Sequence, residues 1–346
     1  MNAGTEDRVT DGGAAGPVPA AAGRGGLVRR LARTNTLWTF GVLFGLSVFF
    51  AVMRPGAFAT AFNIRSVFGN SAVPMVLAVG MTYVIITAGI DLSVGSVLVF
   101  SGVVGAKVMI WGGDGWGVIA LATVAAMAAG TGWGVVNGVL VTKGRIPPLI
   151  ATLGTFGMAL GLAQVITNGN DVNAPTRLSD DVGNRLLLGQ IPVLVLIAGA
   201  VALLFGLLLS ATRFGRHTYA IGSNAEAARR VGIKVDRHVI KVYALSGLLA
   251  GLAGMLNLAK FGTTTIGSHT DDNLSAIAGA VLGGTSLFGG SGSIVGTVIG
   301  VLIPAVVNDG LIILGVQQFW LFVAVGAVLI VAVFFDQLRR RVRDQP

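Results

Sequence analysis

The sequence predicts an all-α membrane protein of about ten transmembrane helices with both termini in the cytoplasm, and three observations carry that reading. Hydrophobic residues fill 53% of the 346 positions and glycine another 52, while only 11% of residues are charged. A soluble domain carries about 25% charged residues, so this chain lacks the polar shell that water requires. Mean hydropathy is +0.81 over the whole length. Apolar runs also recur at the length of a bilayer, whose core of about 30 Å takes roughly 20 residues of helix.

Residues 1–35 are rich in Ala, Gly and Arg, show no apolar periodicity, and are expected to form a disordered cytoplasmic tail. Ala57-Phe-Ala59 imitates a signal-peptide cleavage site. The region before the first apolar run is too long for that, and the run itself exceeds the ~7–15 residues of a signal core. An uncleaved first helix is the better expectation. A single transmembrane domain over 36–337 then holds apolar runs near 36–53, 66–87, 94–111, 116–140, 148–168, 191–210, 240–260, 273–288, 292–309 and 317–335. Between the eighth and ninth, the nearly chargeless stretch near 283–293 reads as a loop, a re-entrant segment or a broken helix, which a membrane tolerates only where protein or water lines it. Residues 338–346 form a basic cytoplasmic tail.

Orientation follows from Lys and Arg. With ten spans and the N-terminus inside, eighteen of the 24 basic residues fall in cytoplasmic segments: the N-terminal tail, Lys143 and Arg145, the loop 211–241, and Arg339, Arg340, Arg341 and Arg343. The outer loops collect Asp114, Asp171, Asp180, Asp181, Asp271, Asp272 and Asp309. This asymmetry obeys the positive-inside rule, so the net charge of +9 concerns the membrane and its lipids, with no nucleic acid implied. Glycines four apart, at Gly130, Gly134 and Gly138, at Gly247 and Gly251, and at Gly292, Gly296 and Gly300, share helix faces and let backbones approach closely. They suit faces that slide or faces that pack statically.

Several chemistries are excluded or disfavoured. There is no cysteine, hence no disulfide or thiolate ligand, and His217, His238 and His269 stand too far apart for a metal pair. No phosphate-loop motif is present, so the chain is not expected to hydrolyse ATP itself, to act as an enzyme or to bind a cofactor. Gly290-Ser-Gly-Ser-Ile-Val-Gly296 has the wrong spacing for a dinucleotide fingerprint and leads into a membrane helix. No Gly-x-Ser-x-Gly elbow with plausible partners occurs.

Two polar features stand out. Asp91, flanked by Gly89, Ser93 and Gly95, is a carboxylate bordering apolar runs. Such a charge costs about 2.5–3.5 kcal/mol to insert and is a functional candidate by default. Asp91 and Ser93 also suit the N-cap of the following helix; capping and a gating role can coexist. In the loop 211–241, Ser223 stands three residues before Glu226, a capping-box spacing, and Gly232 follows as a helix-ending residue. A short helix over 225–231 is marginal alone, so its strong capping points to a docked partner. For a solute route, the uncharged polar residues within spans are the candidates: Asn70, Thr82, Thr87, Thr152, Thr155, Gln164 and Asn257.

Four separated stretches resemble the membrane-spanning permease of ribose, xylose and arabinose-type ABC sugar importers, in order and spacing, over roughly residues 60–335. They are Gly80–Ser96, Asn137–Pro148 followed by Leu149–Gly154, Gly215–Ile233, and Leu282–Ser293. Lys143-Gly replaces a more apolar pair expected before Arg145. The resemblance implies an inner-membrane permease that pairs with a second copy or a close homologue. It implies ATPase subunits on the inside, carrying the ATP and Mg, and a solute-binding protein outside, for which Asp180, Asp181, Asp271 and Asp272 are docking candidates. The cargo would be a sugar or related polyol. Gly222, Ser223, Asn224, Glu226, Ala227, Arg229 and Gly232 would form the segment that couples to the ATPase. The segments 88–96 and 283–293 are faintly alike, as after an internal duplication. A stand-alone carrier or channel, and a membrane scaffold without transport activity, are the rival readings.

Overall fold

The computed structural model describes residues 35–267 and 272–317, together with Trp320, Val323, Gly326 and Ala327. The expected N-terminal tail up to residue 34, His269, Asp271, most of the tenth apolar run and the basic C-terminal tail lie outside the described residues. The chain forms α1 (Asn35–Met53), α2 (Ala61–Ile86), α3 (Val94–Gly112), α4 (Trp116–Thr142), α5 (Pro148–Thr167), α6 (Val193–Ala211), α7 (Arg213–Ser223), α8 (Ala225–Arg230), α9 (Val235–Phe261), α10 (Asp272–Leu282) and α11 (Ile294–Ile313). A two-residue hairpin, β1 (Leu186–Leu187) with β2 (Ile191–Pro192), precedes α6.

Among the described residues, seven helices are long and apolar enough to cross a membrane: α2 to α6, α9 and α11. The first apolar run gives α1, of 19 residues, and the eighth departs from expectation. A span was expected over 273–288, but α10 has 11 residues, about 16 Å of rise and half a bilayer core. Its end is set by glycine. Gly284 takes a left-handed φ of 89°, Gly284 N–H donates to Val281 O at 2.9 Å, and Thr285 N–H donates to Ala280 O at 3.0 Å. This Schellman closure satisfies the last carbonyls and stops the helix. Residues 283–293 then run without helix to α11, so a break follows α10 where the expected span continued to 288. The seventh run, expected from 240, begins at Val235, because the helix extends into the polar segment before it.

Burial is graded across the bundle. In α2 it covers 83% of the apolar window and in α6 only 22%. A helix apolar on every side must be surrounded, and α2 packs against α6, α9, α10 and α11. The outer helices α5 and α6 leave Leu153, Leu162, Leu203 and Leu204 exposed, a surface that suits hydrocarbon and not water.

The glycine stripes locate the closest helix contacts. Gly130, Gly134 and Gly138 of α4 face Ile240, Tyr243, Gly247 and Gly251 of α9. A methyl group added at Gly134 would lie 2.8 Å from the Ala244 Cα, and one at Gly138 2.7 Å from the Ile240 Cα. In the same way Gly296 and Gly300 of α11 lie against Gly283 and Gly279. The stripes therefore mark backbone-to-backbone packing, the source of helix association in lipid.

Gly134→Val should push α4 off α9 and destabilise the protein by roughly 3 kcal/mol, in the range of core overpacking. Gly154→Val, where nothing lies within 4 Å, should be neutral. Thermal unfolding of both variants in detergent, read by size-exclusion fluorescence, checks the contrast.

Candidate functional site

Between α2 and α3 the chain turns through Ala88, a non-glycine residue at φ 59°, and buries Asp91 to 1% exposure. A carboxylate removed from water must be surrounded by donors. Asp91 Oδ1 accepts the Ser93 backbone N–H at 3.0 Å and the Ser93 hydroxyl at 2.6 Å. Its Oδ2 accepts the hydroxyl of Ser246, on α9, at 3.3 Å. The Ser93 oxygen in turn accepts from Asn137 Nδ2 of α4 at 2.7 Å, and Asn137 Oδ1 accepts from the Thr155 hydroxyl of α5 at 2.6 Å. Burial pushes the Asp91 carboxyl above its ordinary range, and the bonds from Ser93 and Ser246 oppose that rise. The result is one buried relay joining the linker to three helices.

The same linker is held at its backbone. Leu92 N–H donates to Thr152 Oγ1 at 3.1 Å, Tyr243 Oη donates to Ile90 O at 3.3 Å, and Gly95 N–H donates to Asn273 Oδ1 of α10 at 2.6 Å. The capping expectation is thereby corrected. Ser93 occupies the N-cap position of α3 but makes no side-chain cap bond, because its hydroxyl is committed to Asp91. Asn273 supplies an acceptor to the first turn from another helix, the partner those unsatisfied N–H groups require.

The segment after α6 is built from local rules. Thr212 opens α7 by accepting the Gly215 N–H at 3.4 Å. Asn224, in extended backbone, ends α7 and starts α8, its Oδ1 accepting from Ala227 N–H at 2.9 Å. The expected capping box of Ser223 with Glu226 does not form, because α7 runs through Ser223 and moves the cap one residue on. Glu226 instead receives the Arg230 guanidinium at 2.7 Å. Gly232 does end the helix as expected, at φ 86°, with Gly232 N–H donating to Arg229 O and Ile233 N–H to Ala228 O, both at 3.0 Å. Ala228 packs with Ile221 and Val235 on the inner side, whereas Glu226, Ala227, Arg229 and Arg230 are exposed. Asp236 ties the pieces together, taking Arg229 at 3.0 Å and Lys143 at 3.6 Å.

The linker, the α7–α8 segment and the stretch 283–293 meet at one point. Gly290 N–H donates to Ile86 O at 2.9 Å, and Gly222 of α7 is pressed between that carbonyl and Gly290, so that a methyl group there would lie 2.6 Å from the Gly290 nitrogen. Tyr219 Oη donates to Gly292 O at 2.7 Å. Helix α7 thus touches the end of α2 and the 283–293 linker, through the Gly222 backbone and the Tyr219 hydroxyl.

The route candidates do not converge. Thr152 and Thr155 belong to the Asp91 cluster, and Thr82 pairs with Thr297 of α11 at 2.7 Å. The Thr87 hydroxyl donates to Val84 O at 2.8 Å, and Asn257 Nδ2 to Thr265 Oγ1 at 3.5 Å. Gln164 is exposed on α5, and Asn70 accepts Lys260 Nζ at 2.7 Å. Of the acidic candidates, Asp181 pairs with Arg177 at 3.6 Å and Arg185 at 3.8 Å, Asp180 sits beside it in the turn Ser179–Gly183, and Asp272 opens α10. Asn137, Ser246, Asn273 and Tyr219 were not singled out from sequence. Asn137 carried a usable signal, a lone amide within an apolar run. Among the described residues no group of three or more His, Asp or Glu side chains could hold a metal ion.

Crossing-length apolar helices around a few fully bonded polar clusters define a multi-pass membrane protein. The family described as the branched-chain amino acid transport system, permease component, matches residues 63–334, and this chain belongs to that family. The ribose import permease protein RbsC of Escherichia coli strain K12 is 42% identical over 287 residues, covering 82% of this chain and 88% of its own. RbsC of Bacillus subtilis strain 168 is 40% identical over 301 residues, 85% of this chain and 90% of its own. The D-allose transport system permease protein AlsC of E. coli K12 is 38% identical over 302 residues, 87% and 91% of the two chains. No solved structure matches the chain significantly.

Asn137→Ala should leave the Ser93 oxygen without the Asn137 donor and the Thr155 hydroxyl with only its bonds to the Ala151 and Thr152 carbonyls at 3.2 Å, and cost about 2 kcal/mol. Asp91→Asn, which preserves shape, should cost less than Asp91→Ala. Unfolding temperatures of the three variants in detergent test that order.

Proposed function

We propose that this chain is the membrane-spanning permease subunit of an ATP-driven importer for a monosaccharide or related polyol in the bacterial inner membrane. Two copies, or this chain and a close homologue, form the translocation pathway between them. ATPase subunits that carry ATP and Mg dock on the α7–α8 side, and an extracytoplasmic solute-binding protein delivers cargo at the opposite end, near Asp180, Asp181 and Asp272. Gly222, Ser223, Asn224, Glu226, Ala227, Arg229 and Gly232 form the coupling segment, and Gly89, Asp91, Ser93 and Gly95 form the gating region it acts on.

The observation that carries this reading is the build of α8. Six residues make a helix too short to stand alone, yet it is capped at both ends, anchored by Ala228 and presents a charged outer face. Through Gly222 and Tyr219, the neighbouring α7 touches the end of α2, where the α2–α3 linker leaves, and the α10–α11 linker. A push on α8 reaches the α2–α3 and α10–α11 junctions without passing through flexible chain. Ligands at either end can then bias one two-state element, which coupling requires. The relatives named for import of ribose, and AlsC named for allose transport, support a sugar as the cargo class.

Replacing Glu226 and Arg229 together by Ala should lower substrate-stimulated ATP turnover of the assembled transporter at least tenfold. Insertion and thermal stability should stay near the parent, because exposed ion pairs contribute only about 0–1 kcal/mol. Normal turnover would overturn the coupling role. Affinity purification of the chain from its host membranes should retain an ATPase subunit in stoichiometric amount; recovery of the chain alone after cross-linking would point to an autonomous carrier.

A further inference from the structure

A recess of about 620 Å³ lies beside α8, on the side of the bundle proposed to meet the ATPase. Four parts of the chain line it: the start of the α2–α3 linker, the end of α4 with the turn into α5, α8, and the first turns of α9. Lys143, Arg145 and Arg229 are its cations and Asp236 its one carboxylate. That carboxylate is already shared, with Arg229 at 3.0 Å and Lys143 at 3.6 Å. A more open neighbouring recess repeats Lys143, Arg229 and Asp236 and adds Lys234 and Arg237. A concave surface lined mainly by one sign of charge concentrates ions of the other. Two backbone positions on the lining are also costly. Ala88 holds φ at 59° and Arg145 at 52°, left-handed values that a residue with a Cβ keeps only where its surroundings impose them, and such positions gather at binding and switching sites. Lys143 is the residue that departs from the apolar pair expected before Arg145. The charge of this recess is thus a property of this chain and does not come from the family resemblance.

We propose that this recess is a regulatory site for a soluble phosphomonoester, the phosphorylated form of an imported sugar, and that its occupation slows the transport cycle. Charge balance selects the phosphate. Three cations less one carboxylate leave a surplus of two positive charges, and a phosphomonoester carries about −1.5 to −2 near pH 7. A sugar acid carries half of that. Arg145 and Arg229 offer planar forks that fit phosphate oxygens, and Lys143 offers a compact charge. The volume falls within the range of about 300–1,000 Å³ typical of small-molecule sites, so an organic body fits behind the phosphate. The Lys143 and Arg229 side chains are 65% and 59% exposed, which puts the recess in contact with water and favours a soluble ester over a lipid headgroup. The identity of that body as a sugar rests on the sugar-permease reading; the reaction that supplies the ligand is phosphoryl transfer to the sugar after entry. The effect on the cycle follows from what the recess joins. Ala225 and Arg229, four apart on one face of α8, meet Thr87 to Gly89 of the linker and Asp236 and Tyr243 of α9. These are the parts that coupling must move against one another. A ligand that touches all of them binds this arrangement better than any other and shifts the equilibrium toward it.

The test uses the full chain assembled with its ATPase and binding-protein subunits in phosphatidylcholine vesicles, the ATPase side facing outward. D-ribose, D-allose, D-fructose and L-arabinose are supplied in turn with the binding protein, and at least one should stimulate ATP turnover. D-ribose 5-phosphate or D-fructose 6-phosphate at about 5 mM outside the vesicles should then lower stimulated turnover about threefold or more. D-ribonate at the same concentration should inhibit far less, and ester enclosed within the vesicles should have no effect. Lys143→Gln and Arg145→Gln should each raise the half-inhibiting concentration about fivefold with basal turnover unchanged. Arg216→Gln, which removes an exposed cation of α7 outside the recess, should leave inhibition as in the parent. Stimulated turnover that neither ester lowers, equal inhibition by D-ribonate, or parental inhibition in both recess variants would overturn the site and leave the permease reading standing. Loss of ester inhibition when phosphatidic acid is added to the vesicles would assign the recess to a lipid headgroup and overturn the soluble ligand. Loss of the ATPase subunit from the recess variants would assign the cations to the subunit contact, with the same consequence. Stimulation by none of the four sugars would overturn both readings.

Discussion

A buried carboxylate sets the terms for much of this bundle. Asp91 has almost no access to water, and in so apolar a setting an incompletely bonded charge costs far more than any single contact returns. Its donors come from its own turn and from α9, and the relay continues through Asn137 on α4 to Thr155 on α5. Each helix is thereby tied in height and rotation to the same turn. Apolar packing alone would let helices slide past one another, because one leucine surface resembles the next. A directional polar cluster satisfies itself in one register only.

The glycine stripes make that cluster reachable. Asn137 of α4 and Ser246 of α9 both reach the Asp91 turn, and the close approach of α4 to α9 at Gly134 and Gly247 brings the two helices that carry them together. Small residues and polar residues are thus parts of one device: the first bring the helices together, and the second fix how they meet. The same economy recurs where Thr82 meets Thr297 beside the close approach of α11 to α10.

The two inter-helix linkers occupy analogous places, each leading from one helix into a helix that starts after a serine. They are held differently. Ser293 caps α11 directly, its hydroxyl accepting the Gly296 N–H at 3.0 Å, whereas Ser93 gives its hydroxyl to Asp91 and leaves the first turn of α3 to Asn273. The 283–293 linker caps its following helix locally and bonds to the end of α2 and to Tyr219 of α7, whereas the 87–93 linker and the first turn of α3 depend on groups from four surrounding helices.

Much of the architecture was legible in the sequence, because the rules involved are one-dimensional. The length of the apolar runs, glycine spacing and the Gly232 helix stop all depend on residues near each other in the chain. The family resemblance rested on such local strings as well. Tertiary structure alone decided the rest. Asn224 rather than Ser223 caps α8, because Ser223 is the last residue of α7. Thr152 and Thr155 bond within the Asp91 cluster, because helix rotation, and not residue type, determines which groups meet. Asn273 caps a helix 178 positions away in sequence, and Thr87, Arg145 and Arg229 line one recess from separate segments of the chain. Sequence specifies which groups must be satisfied, since the cost of leaving them bare belongs to the residue. The partner that satisfies each one is set by how the helices pack, and that belongs to the bundle as a whole.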